Sequence, residues 1–126
     1  MSDLARVESE RHGDLCLVRL HGEVDMSNVQ EVSVAIEGAP AHGARGIIVD
    51  LTETTYLDSA GVGLLVRLAE RLRSRRQDFS LLAPAGSRVR SVLELTGLGR
   101  VMPLHVSLEE ALEQSPNGLP HPSDRG

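Results

Sequence analysis

Leu15-Cys16-Leu17-Val18-Arg19-Leu20 is a nearly continuous apolar run, and a run this short, bounded by turn residues, predicts a buried strand. His12-Gly13-Asp14 precedes it as a turn signal, and the weaker extended stretch from Leu4 to Glu10 predicts a second strand joined through that turn. Ser27-Asn28-Val29-Gln30 has the spacing of a capping box, in which the Ser27 hydroxyl accepts from a backbone N–H one turn on and Gln30 reaches back. A helix should follow, with Val29, Val32 and Ile36 on its inner face, Ala35 at the margin, and Gly38, Pro40 and Gly43 ending it. Gly46-Ile47-Ile48-Val49-Asp50-Leu51 then has the pattern of a strand buried on both faces, the expected central strand of a parallel sheet.

Thr52 to Tyr56 is expected to be a polar connection. A second helix should begin near Asp58-Ser59, with Leu64, Leu65, Leu68 and Leu72 on one side and Arg67, Glu70, Arg71 and Arg73 mostly opposite. Phe79-Ser80-Leu81-Leu82 predicts a further strand. Ser87 should cap a helix carrying Val89, Val92 and Leu93, and Gly97 stands where helices commonly end in a left-handed residue. Val101-Met102 is expected to form a last, short strand. Ser107-Leu108-Glu109-Glu110 is another capping box, with Val106 placed to staple onto Ala111, and the closing helix should run to about Gln114. Residues 1–114 are thus expected to be one domain, and residues 115–126, with three prolines and little to bury, a disordered tail. The fold class is α/β: four helices against a mostly parallel or mixed sheet of about five strands, the first an antiparallel edge.

Composition narrows what such a domain could do. A chain of 126 residues has the length of one domain with one core. A single cysteine, Cys16, excludes an internal disulfide, and inside an apolar strand a thiol is usually a small core hydrophobe. His12, His21, His42, His105 and His121 are scattered, without the spacing of metal ligands. The net charge of -5 argues against non-specific nucleic-acid binding, and Tyr56 and Phe79 alone cannot make a platform for stacking bases. Met1 to Glu10 lacks the apolar run of a signal peptide, and no stretch approaches the roughly 18 apolar residues of a membrane span, so a cytoplasmic location is expected.

Gly61-Val62-Gly63 does not complete a dinucleotide loop, because the third glycine would fall at Val66. All 13 basic residues are arginine, so the lysine of a phosphate-binding P-loop is absent, and no cofactor is expected. Arg67, Arg71, Arg73, Arg75 and Arg76 form the one basic concentration. A solvated helix face that complements the helix dipole accounts for it, and a docking surface for an acidic partner is the other reading.

The informative stretch is Tyr56-Leu57-Asp58-Ser59-Ala60-Gly61-Val62-Gly63-Leu64-Leu65. Asp58 or Ser59 can cap a helix, but capping does not explain two glycines that each weaken it by about 0.8–1 kcal/mol relative to Ala. Either the first turn packs tightly against the sheet, or its bare backbone is left open to a partner or an anion.

Three features together resemble the STAS domain of anti-sigma factor antagonists. They are Gly22-Glu23-Val24-Asp25 after the second strand, Ile47-Ile48-Val49-Asp50-Leu51 leading to Asp58-Ser59-Ala60-Gly61-Val62-Gly63, and Leu95-Thr96-Gly97-Leu98 closing the third helix. The resemblance covers the chain from about Leu4 to Gln114. It implies that Ser59 is a phosphoacceptor for an anti-sigma factor with serine kinase activity, with Asp58 as its acidic neighbour. It further implies that the unmodified protein binds that factor and releases a sigma factor, and that a serine phosphatase restores the active form. Asp25, Asp58, Ser59, Gly61 and Val62 would then meet the partner, although Asp25 could equally serve as a local cap ahead of Ser27. The family often has Ser or Thr where this chain has Ala60. Two other readings stand beside this one: a non-phosphorylated STAS scaffold in a lipid-transport or stress-signalling assembly, and a small hydrolase or phosphotransferase using Asp58 or Ser59. The last is disfavoured because no histidine base lies nearby in sequence.

Overall fold

The alternating apolar residues of the chain fall on the two faces of one mixed sheet of six strands. The computed structural model describes residues 5–38 and 44–114, which run β1 (Ala5–His12), β2 (Leu15–Val24), α1 (Val29–Glu37), β3 (Gly46–Asp50), β4 (Thr54–Leu57), α2 (Ser59–Ser74), β5 (Asp78–Leu82), α3 (Arg88–Leu95), a short 3-10 turn Leu98–Arg100, β6 (Leu104–His105) and α4 (Leu108–Gln114). The sheet order is β1-β2-β3-β5-β6, with β4 beside β2. β1 is the antiparallel edge expected of it, and the other pairings are parallel. The hairpin turns through Gly13 at φ +62°, a conformation that glycine adopts without a steric cost.

β3 is the central strand, buried at all five positions. Its register with β2 sorts the side chains. Cys16 opposite Ile47 and Val18 opposite Val49 face the main core, which also takes Val32 and Ile36 of α1, Leu64, Leu65, Leu68 and Leu72 of α2, and Val89 and Leu93 of α3. Leu15 and Leu17 with Ile48 and Leu82 face the other way and are covered by Leu108, Ala111 and Leu112 of α4. Burial raises the Cys16 thiol pKa, as befits a core position. Beyond α4 that second face turns polar: Arg19 joins Glu10 at 2.9 Å and Asp50 at 3.7 Å.

Four expectations need correction. Thr54–Leu57 is a strand and not a polar connection, because β2 runs past the end of β3 and offers Gly22, Glu23 and Val24 as partners for β4 across a bulge. Ser27 does not cap α1. Its hydroxyl donates to Asp25 Oδ1 at 2.6 Å, and the helix starts after Asn28 without a side-chain cap. Val101-Met102 is not the last strand. The chain leaves Gly97 at φ +76° into the 3-10 turn, which delays the pairing with β5 to Leu104–His105. Finally, Ser107 Oγ does accept from the Glu110 N–H, but the Glu110 carboxylate accepts from the Val106 N–H and not from that of Ser107, and Val106 is 40% exposed. Pro40, Gly43 and the residues assigned to a tail, 115–126, lie outside the described residues.

Candidate functional site

The C-terminal ends of β2 and β4, the loop after β2 and the start of α2 meet at one end of the sheet. Asp58 organises the junction. Its backbone is extended and its Oδ1 accepts from the N–H groups of Ala60 (2.9 Å) and Gly61 (3.0 Å), two donors that a helix start leaves without partners. The other carboxylate oxygen accepts from the Met26 N–H at 3.2 Å, and the Asp58 N–H donates to the Val24 carbonyl at 3.3 Å. A residue singled out as the acidic neighbour of the acceptor thus ties α2 to the preceding loop.

That loop is fastened by two further polar groups. Asn28 is 2% exposed. Its amide donates to the Glu23 carbonyl at 2.8 Å, and its Oδ1 accepts from the Asp25 N–H at 3.0 Å. Asp25 Oδ1 accepts from the Ser27 hydroxyl at 2.6 Å and the Ser27 N–H at 2.9 Å, and these bonds, the hydroxyl's first, hold its carboxyl below the usual aspartate pKa. Asp25 Oδ1 therefore holds the loop ahead of α1.

Ser59 is the first residue of α2 and is exposed, and its hydroxyl has no hydrogen-bond partner among the described residues. Gly61 is buried. A Cβ there would come 2.4 Å from Leu57 Cδ1, 3.1 Å from Leu57 Cγ and 3.3 Å from the Val24 carbonyl oxygen, so its missing side chain lets the helix sit on β2 and β4. This removes Gly61 from the residues that a partner can touch directly. Gly63 has no such reason: a Cβ would meet only Arg67 Nη1, at an ordinary 3.4 Å. Val62 is partly buried against the main core, and Ala60 is partly exposed beside Ser59.

The structure therefore brings Asp25, Asp58, Ser59 and Val62 to one end of the sheet and assigns Gly61 to packing. Asn28 and Met26, the latter 76% exposed, belong to the same surface and were not singled out from sequence. The spacing of Asp25 and Asn28, three residues apart after a strand, was the available sign of a side-chain-closed loop. Of the arginines of α2 and the turn after it, Arg71 pairs with Glu37 of α1, and Arg67, Arg73, Arg75 and Arg76 are exposed. No group of three or more His, Cys, Asp or Glu among the described residues could hold a metal ion, and no helix there is long and apolar enough to cross a membrane.

A family model described as the STAS domain matches residues 6–111. An anti-sigma-B factor antagonist of Staphylococcus epidermidis is 26% identical over 103 residues, covering 82% of this chain and 94% of that relative. Among solved structures, an anti-sigma factor antagonist from Mycobacterium paratuberculosis superposes with a TM-score of 0.77 at 28% identity, over 86% of this chain and 92% of the other. The phosphorylated form of SpoIIAA, a Bacillus cell fate determinant, does so with a TM-score of 0.61 at 29% identity, over 86% and 98%.

Proposed function

The chain belongs to the STAS domain family, and from that premise we propose that it is an anti-sigma factor antagonist switched off by phosphorylation of Ser59. In this reading the unmodified protein binds an anti-sigma factor that is also a serine kinase, a sigma factor is released, and a serine phosphatase reverses the modification. The protein itself performs no catalysis. The observation that carries the reading is the division of labour between Asp58 and Ser59. Asp58 is held by three N–H groups and cannot leave the helix start, whereas Ser59 beside it is exposed with an unengaged hydroxyl. One of the similar solved structures is a phosphorylated form, which supports modification as a property of such a domain.

Phosphorylation adds about -1.5 to -2 charges, and the positive end of the helix dipole favours them at the start of α2, so the fold tolerates the change. The interface does not. A partner surface fitted to a neutral hydroxyl beside the Asp58 carboxylate would face a second, bulkier anion, and a loss of about 2.8 kcal/mol weakens binding roughly 100-fold. Gly63 lies on the same side of the helix as Ser59 and is partly exposed there.

Incubation with a purified anti-sigma factor kinase and ATP, followed by intact mass measurement, tests the site. One phosphate is expected on the wild type and none on Ser59→Ala. Phosphate persisting on Ser59→Ala would move the acceptor elsewhere. Ser59→Asp should weaken capture of the factor while leaving the melting temperature nearly unchanged, and equal affinity for both forms would remove the electrostatic switch.

A further inference from the structure

Among the described residues β4 pairs with β2 alone, and no described strand lies on its other edge. α3 packs alongside that edge and leaves a groove of about 260 Å³, lined by Thr55, Tyr56 and Leu57 on one side and by Arg88, Val89 and Val92 on the other. Side chains alternate faces along a strand, so one groove touches three consecutive residues only by running along the strand's edge. The lining is mainly apolar. Leu95, three residues beyond Val92 and seven beyond Arg88, continues the same side of α3 and is 88% exposed, while Tyr56 is 50% exposed. An apolar strip open to solvent beside an unpaired strand edge is a surface that a partner covers. Arg88, at the rim, is exposed and has no ion-pair partner among the described residues.

We propose that this groove receives an extended segment of the anti-sigma factor. The segment adds as a strand to the free edge of β4, sets apolar side chains against Val92 and Leu95, and places an acidic group at Arg88. The edge demands an extended backbone, the strip demands apolar side chains, and the unpaired guanidinium selects a carboxylate. Tyr56 and Leu57 lead directly through Asp58 into Ser59, so a segment bound there holds its protein within roughly 10 Å of the acceptor hydroxyl. The identity of the partner rests on the function proposed above. The chemistry of the segment does not.

The test is selection of random dodecapeptides displayed on phage against the full chain, followed by binding of the selected synthetic peptide measured by fluorescence anisotropy. Enriched peptides should alternate apolar residues and carry Asp or Glu near one end, and their amide shift changes should map to β4 and α3. Leu95→Glu, at a position too exposed to disturb the fold, and Val92→Glu should each weaken binding at least tenfold. Arg88→Glu should do the same and be rescued by Lys in place of the peptide's acid. Val34→Glu, at another exposed apolar residue, 68% exposed on α1, should leave affinity within twofold. No enrichment, or shifts elsewhere, overturns the proposal. So does a dimer in sedimentation that Leu95→Glu dissolves, because a second copy would then occupy the groove. Peptide binding is measured on the unmodified chain without kinase or ATP, so failure of the phosphorylation site and failure of the groove are separately visible.

Discussion

The two sides of the first turn of α2 are built to opposite ends from nearly the same residues. Successive helical residues are about 100° apart, which puts Gly61 and Gly63 on opposite sides and leaves Ser59 within about 40° of Gly63. On the inner side the missing Cβ of Gly61 makes room for Leu57 and the Val24 carbonyl, and Leu64 and Leu65 follow it into the core. On the outer side a Cβ at Gly63 would meet only the end of the Arg67 side chain, and the Ser59 hydroxyl has no hydrogen-bond partner among the described residues. A pair of glycines that weakens a helix thus has two causes, packing for one and accessibility for the other. The choice that the sequence posed between them applies to each glycine separately.

The largest expected effect breaks the inner side. Gly61→Val would drive a branched side chain into Leu57, and overpacking of this kind typically costs 1–3 kcal/mol, so we expect a loss of about 3 kcal/mol in urea denaturation. Wild-type stability would mean that Leu57 has somewhere to go and that Gly61 is not there for packing. Asp58→Ala comes next. It removes the cap of α2 and the link to Met26, with an expected loss of about 1–2 kcal/mol, and Asp58→Asn should recover most of it by restoring an acceptor. If Asp58→Ala left stability intact while abolishing partner binding, the carboxylate would be a contact residue and its capping bonds incidental.

What could be read from the sequence follows the range of the interactions involved. Asp58, Ser59 and the Leu64–Leu72 stripe were legible because a cap and a helical period are local, and β3 because a strand buried on both faces is apolar throughout. β4 was not, since Thr55 and Tyr56 are exposed and the reason for a strand lies some thirty residues away, in the continuation of β2 past β3. Ser27 misled for a related reason: Asp25, two residues earlier, competes for its hydroxyl and wins. The bond from Met26 to Asp58 and the groove between β4 and α3 each join segments far apart in the chain, and no spacing announces either.

Gly63→Ala sharpens the outer side. Alanine gains about 0.8–1 kcal/mol of helix propensity over glycine, and the added methyl meets only the flexible end of Arg67, so the protein should become more stable by about 0.5–1 kcal/mol. Binding of the anti-sigma factor should fall at the same time, because the methyl occupies the approach beside Ser59. A variant that is stabilised and binds unchanged would place the interface away from Gly63 and leave the glycine without a role in it.

The smallest effect concerns the loop that shares this outer surface. The Asp25 carboxyl is held below its ordinary pKa, chiefly by the Ser27 hydroxyl and then by the Ser27 N–H. A group with a depressed folded pKa lends stability that is complete above the unfolded aspartate value and is lost as the pH falls through the folded one. The loop should therefore hold at neutral pH and loosen only in acid, below the range in which a free aspartate titrates. Carboxyl titration by NMR checks this: Ser27→Ala should raise the Asp25 midpoint towards the ordinary value, while neither variant nor wild type changes stability measurably near neutrality. Leu64 and Leu65 lie in the apolar core, so acid should disturb the amides of residues 25–28 before theirs. If both sets moved at one midpoint, the two sides of the turn would be one cooperative unit, and the distinction between them would hold for packing but not for unfolding.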